Sequence, residues 1–157
     1  MRTKCYFLKA GYLALSVFLL SCAVLISNPI LVFGKEIQTR EFDKIVSNLS
    51  SGDVETAYEA ALTLGELKDP RAIPPLIKIL ESTQYEAMNN ATSMALANMG
   101  IEAVDPVTAL LTHEKWWVRK NAAWVLGRLH DTKAVSALIN ALKDNSAWVR
   151  LYVAWAL

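Results

Sequence analysis

Residues 117–126 read Trp-Val-Arg-Lys-Asn-Ala-Ala-Trp-Val-Leu, and residues 148–157 read Trp-Val-Arg-Leu-Tyr-Val-Ala-Trp-Ala-Leu. The two stretches share Trp, Val, Arg, Ala, Trp and Leu at a constant offset of 31 residues. Self-similarity at a fixed period of about 20 to 50 residues is the signature of a stacked repeat array. Each unit of such an array is too small to bury its apolar face alone, so it stacks on its neighbours.

The same step, carried back toward the N-terminus, keeps apolar columns in phase. Phe42, Ile73, Val104 and Val135 align, as do Ile45, Leu76, Val107 and Leu138, and Leu49, Leu80, Leu111 and Leu142. Within each repeat the three columns are spaced by three and four residues, the period of a helix with one apolar face. The second helices give two more apolar columns, Ala60, Ala91, Ala122 and Val153, then Leu64, Ala95, Leu126 and Leu157, the first of them built mostly of alanine. Small residues there let the second helices of successive pairs approach closely, while larger aliphatics of the first helices fill the space between.

The expected architecture is therefore all-α, an α-solenoid of antiparallel helix pairs over 35–157, with repeats at 38–68, 69–99, 100–130 and 131–157. Polar breaks punctuate it. Ser50-Ser51-Gly52-Asp53 can cap the helix that follows, Asp69-Pro70 suits a cap and a first helical turn, and Gly100 and Asp131 open the last two repeats. The fourth repeat stops at Leu157 with an apolar side uncapped, from which a longer protein or a partner at that end is expected.

Residues 1–34 are different in kind. Arg2, Lys4 and Lys9 precede Ala10 to Phe33, which has no charged residue. A basic start and an apolar run are the layout of a signal peptide or a membrane anchor. Val32-Phe33-Gly34 offers a cleavage site, an uncleaved run would span a bilayer with the N-terminus in the cytoplasm, and Leu19-Leu20-Ser21-Cys22 looks like a lipobox. All three place the repeats outside the cytoplasm, secreted, periplasmic or anchored through 10–33. Without the segment, thirteen basic residues face fifteen acids, a net −2. That balance lacks the footprint of a nucleic-acid binder. Cys5 and Cys22 both lie in the segment, so the repeats have no disulfide or thiolate chemistry.

Asp-Pro-Arg-Ala-Ile-Pro-Pro-Leu (69–76), Trp-Val-Arg-x-x-Ala-Ala-x-x-Leu-Gly (117–127) and Asp-x-x-Ala-Val-x-x-Leu (131–138) resemble the short HEAT-like repeats first noted in the bilin lyases of phycobilisomes. The resemblance spans about Gln38 to Leu157 and implies the solenoid fold. It further implies that Trp117, Arg119, Trp148 and Arg150, which head the second helices, are structural, the indoles packing across a helix pair and the guanidinium groups bonding carbonyls or acids of an adjacent repeat.

Asn121, Trp124 and Arg128 fall on another flank of the second helix, expected to face the concave side of the solenoid. Trp124 and Trp155 stand one repeat apart and would form an exposed aromatic ladder, of a residue type enriched at binding hot spots. His113-Glu114 invites comparison with the His-Glu metal pairs of the HEAT-repeat deoxyhypusine hydroxylases, but it is a single pair and lies seven residues before the position where those pairs stand. It reads as an exposed turn, as does His130. No nucleophile elbow, phosphate loop or metal-spaced cluster is present, so no catalytic residue, metal or cofactor is assigned. The expected function is a scaffold that binds a protein or peptide on its concave face, with a bilin lyase subunit or a metal-dependent oxidoreductase as the alternative.

Overall fold

The computed structural model describes residues 38–157, so the expected export segment 1–34 lies outside the described residues. Lys44–Leu157 is a compact unit by itself. Among the described residues every regular element is helical. α1 covers 38–48, α2 Val54–Leu67, α3 Ile73–Ser82, α4 Glu86–Asn98, α5 Val104–Ala109, α6 Trp116–Leu129, α7 Val135–Ala141 and α8 Ala147–Ala156.

The sequence breaks act as the cap chemistry requires. Asp53 accepts a hydrogen bond from the Thr56 amide at 2.9 Å and a second, short one from the Thr56 hydroxyl, which fixes the start of α2. Asp69 and Asp131 accept from the amides of Arg71 (3.0 Å) and Lys133 (2.8 Å). Those two aspartates open short 3₁₀ turns, Pro70–Ala72 and Thr132–Ala134, rather than the α-helices themselves. The α-helix follows three residues later, which places Pro74 and Pro75 in the first turn of α3, where a missing N–H has no partner to lose. Gly100 takes a left-handed φ of 76° at the start of the third repeat.

The second helices form a continuous row, α2 on α4, α4 on α6 and α6 on α8, with α3, α5 and α7 each packed on its own partner. This is an α-solenoid. Ala60, Ala91, Ala122 and Val153 are all buried along this row, as are Leu64, Ala95 and Leu126, whereas Leu157 is exposed. Gly65 lets α2 meet α4 so closely that a Cβ there would stand 2.7 Å from the Ala95 Cα. Gly127 does the same between α6 and α8, where a Cβ would stand 2.6 Å from the Trp155 ring and 3.0 Å from the Ala156 Cα. The equivalent position of α4 holds Leu96, which is fully buried, and α4 packs on α6 less extensively than either outer junction packs.

Within Lys44–Leu157 the first-helix columns are buried through the third repeat at Ile73 and Val104, at Leu76 and Val107, and at Leu49, Leu80 and Leu111, while Ile45 is half-buried. In the fourth repeat only Leu138 of the expected columns is buried; Val135 and Leu142, and Ile139 next to Leu138, are exposed, because no described element packs on that side of α7. No helix among the described residues is long and apolar enough to cross a membrane.

Candidate functional site

Three successive second helices line one polar groove of about 320 Å³. α4 contributes Glu86, Asn90, Ser93 and Met94, a stripe at helical spacing; α6 contributes Lys120, Asn121 and Trp124; α8 contributes Tyr152. In the repeat frame Asn90, Asn121 and Tyr152 are one column, and Ser93 and Trp124 another. The groove thus sits over the α4–α6 junction, the one that Leu96 rather than glycine occupies.

Its floor is polar and unsatisfied. Asn121 is 3% exposed and Ser93 2%, yet neither Asn121 Nδ2 nor Ser93 Oγ has a hydrogen-bond partner among the described residues. A buried polar group left in that state costs about 1–3 kcal/mol, so a ligand that supplied the partner would recover it on binding. Asn89 Oδ1 and Thr92 Oγ1 of the same α4 are buried and unpartnered as well. Trp124 forms a half-buried apolar wall, with the Arg128 guanidinium 5.8 Å from its ring centroid. On the far side Lys120 Nζ lies 5.5 Å from the centroid of Tyr152. Both distances suit a cation held against an aromatic face. Glu86 and Lys120 form no ion pair among the described residues. A larger cavity of about 510 Å³, lined by Val46, Val54, Ile79 and Met88 among others, is mainly apolar and has no orphaned polar atom in its lining.

Of the residues expected to bind, the structure brings Asn121 and Trp124 together and leaves two outside. Arg128 lies against Trp124 but does not line the groove. Trp155 rests an edge of its ring on the Gly127 junction, is otherwise 56% exposed and does not line the groove. Asn121 is not on an open flank: α4 runs alongside and turns that position into the floor. Lys120, Tyr152, Asn90, Ser93 and Glu86 are additions that only the packed helices reveal. One sign of them in the sequence is the 31-residue step itself, which pairs Asn90 with Asn121.

Arg119 behaves as an inter-repeat clamp. Its Nε and Nη2 donate to the two Asp144 carboxylate oxygens at 2.6 and 2.9 Å, and its Nη1 donates to the carbonyls of His113 (2.7 Å) and Glu114 (2.8 Å). These bonds hold the Asp144 carboxyl below its ordinary pKa, helped by the Ser146 amide, and raise that of Arg119. Arg150 repeats half of the pattern, donating to the carbonyls of Asp144 and Asn145. Trp117 is half-buried and meets Trp116 edge to face at 6.2 Å. Trp148, expected to pack across a helix pair, is 58% exposed, since no described residue covers it.

His113 is half-buried rather than exposed. Its Nδ1 accepts from the Lys115 amide at 3.1 Å and its Nε2 stands 3.7 Å from Glu81, so it ties the turn of the third repeat to the second. His130 is an exposed, left-handed helix end, φ 51°. No group of three or more His, Cys, Asp or Glu among the described residues could hold a metal.

Comparison with known proteins agrees with the fold. HEAT repeats match residues 84–157, and the PBS lyase HEAT-like repeat matches 56–82. The chain is a HEAT-like repeat protein. Within that class it is of the PBS lyase type: the phycocyanobilin lyase subunit alpha of Synechococcus elongatus is 31% identical over 120 residues. The match takes in 70% of this chain and 44% of that relative, so the chain spans less than half of the relative's length. An engineered protein of known crystal structure is 27% identical over 74% of this chain and 60% of its own, with a TM-score of 0.43.

Proposed function

We propose that this repeat scaffold binds another polypeptide on the concave face formed by its second helices, and that residues 1–34 export or tether it so that it does so outside the cytoplasm. The observation that carries the binding proposal is the groove over the α4–α6 junction, where buried polar atoms without partners lie beside an indole wall. Repeat solenoids present extended surfaces of this kind to proteins. Export rests on the basic start and the uncharged run Ala10 to Phe33. The test is cross-linking capture from an envelope fraction with the tagged chain, beside Trp124→Ser and Trp155→Ser variants whose helicity is checked by circular dichroism. Capture should fall with Trp124→Ser and persist with Trp155→Ser. Capture indifferent to both substitutions sinks the assignment to this face.

A second function, that of a subunit of a bilin lyase, draws support from the 31% identity to a phycocyanobilin lyase subunit. Incubation of the purified chain with phycocyanobilin decides it. A shifted visible absorbance that co-elutes with the chain favours the lyase role, and an unchanged spectrum of free pigment counts against it.

A further inference from the structure

The geometry points to a particular occupant of this groove: an extended peptide segment whose main-chain carbonyl accepts from Asn121 Nδ2, with an acidic group directed to Lys120 and a basic one to Glu86. The inference deepens the polypeptide-binding function proposed above and rests on it.

The floor demands an acceptor. Asn121 presents two N–H donors, and its Nδ2 is buried with neither used. Ser93 Oγ, equally buried, can donate or accept. A peptide group carries a carbonyl acceptor and an N–H donor on neighbouring atoms, which satisfies an amide donor and a hydroxyl together. Asn90, exposed and one repeat step before Asn121, adds a second amide along the same line.

The spacing also suits a strand. Successive second helices stand about 8–10 Å apart, and an extended chain advances about 3.3 Å per residue. A segment crossing from α4 through α6 to α8 therefore meets each helix about every third residue. Glu86 lies on the α4 side, and Lys120 leans to Tyr152 on the α8 side. Neither charge is committed to an ion pair among the described residues, so the groove is polarised along the direction in which the segment runs. Trp124, between them, offers an indole face to one side chain.

The experiment selects peptides from a phage-displayed random heptapeptide library on the full chain held in detergent, then measures the enriched peptides, labelled with fluorescein, by anisotropy. Enriched sequences should carry an acid and a base about three residues apart. Asn121→Leu, which keeps the volume and removes the amide, should weaken them about five- to ten-fold. Lys120→Glu should abolish their binding, and exchanging the peptide's acid for lysine should restore it on that variant. Lys120→Glu changes a rim residue, so it reports even where Asn121→Leu fails to fold.

Peptides indifferent to Lys120→Glu and Asn121→Leu, yet competed by the protein captured by cross-linking, overturn this occupant and leave polypeptide recognition standing. Cross-linking capture with no enriched peptide does the same. Absence of both capture and enrichment removes the two proposals together.

Discussion

Asp144 is fixed from three directions: Arg119 Nε and Nη2 each donate to one of its oxygens, and the Ser146 amide donates to Oδ1 at 2.8 Å. The pair is largely buried, with 14% of the Arg119 side chain and 9% of that of Asp144 exposed. Removing one partner strands the other charge, so Asp144→Ala should lower unfolding stability by about 2–3 kcal/mol, read as the urea midpoint. The pH dependence follows in sign. Because the folded carboxyl is held below the ordinary range, its contribution is complete above the unfolded value of about 3.9. It is lost as pH falls through the lower folded value. Stability of the parent chain should therefore decline more steeply below about pH 4 than that of Asp144→Asn. Equal slopes for the two chains would show that the clamp adds nothing in its ionised form.

At the scale of elements, the second helices meet through residues without side chains. Gly65→Ala puts a methyl 2.7 Å from the Ala95 backbone, which cannot yield unless α2 and α4 separate. The gain of about 1 kcal/mol in helix propensity is outweighed by overpacking that costs about 1–3 kcal/mol or more. Gly127→Ala meets mainly the Trp155 ring, and that side chain can swing. Its melting temperature should fall less than that of Gly65→Ala and should recover in Gly127→Ala/Trp155→Ser. Failure to recover would place the clash on the Ala156 backbone instead.

The same contacts account for what is legible in the chain before it folds. Leu76, Val107 and Leu138 can be read as core, because an apolar residue that returns at every repeat step is what a continuous buried stripe requires. The resemblance to the short HEAT-like repeats implies the clamp at Arg119, whose place at the head of the second helix Arg150 repeats 31 residues on. Asn121 is not legible as a buried floor, since its burial comes from α4, and a helical wheel of α6 contains no information about α4. Thr92 and Ser93, polar where α2 carries Ala61 and Leu62 and α6 carries Ala123 and Trp124, are a further trace that this junction differs. Val135, Ile139 and Leu142 show the converse limit, since an apolar column specifies burial only where something packs on it.

Taken whole, the row of second helices has two junctions drawn tight by Gly65 and Gly127 and a slacker one at Leu96. Opening in repeat arrays follows the strength of neighbouring interfaces. Native-state hydrogen exchange should therefore show α2 with α4 and α6 with α8 as two cooperative blocks that open separately, with amides near Leu96 reporting the lower free energy. A single opening energy across both blocks is the outcome that contradicts this. Mechanically, the row of second helices then resembles two rigid plates joined by a compliant seam, and the groove lies along the seam. Anything lodged there acts as a strut: it stiffens the joint, locks the angle between the plates, and turns a local binding event into a change in the elasticity of the entire stack.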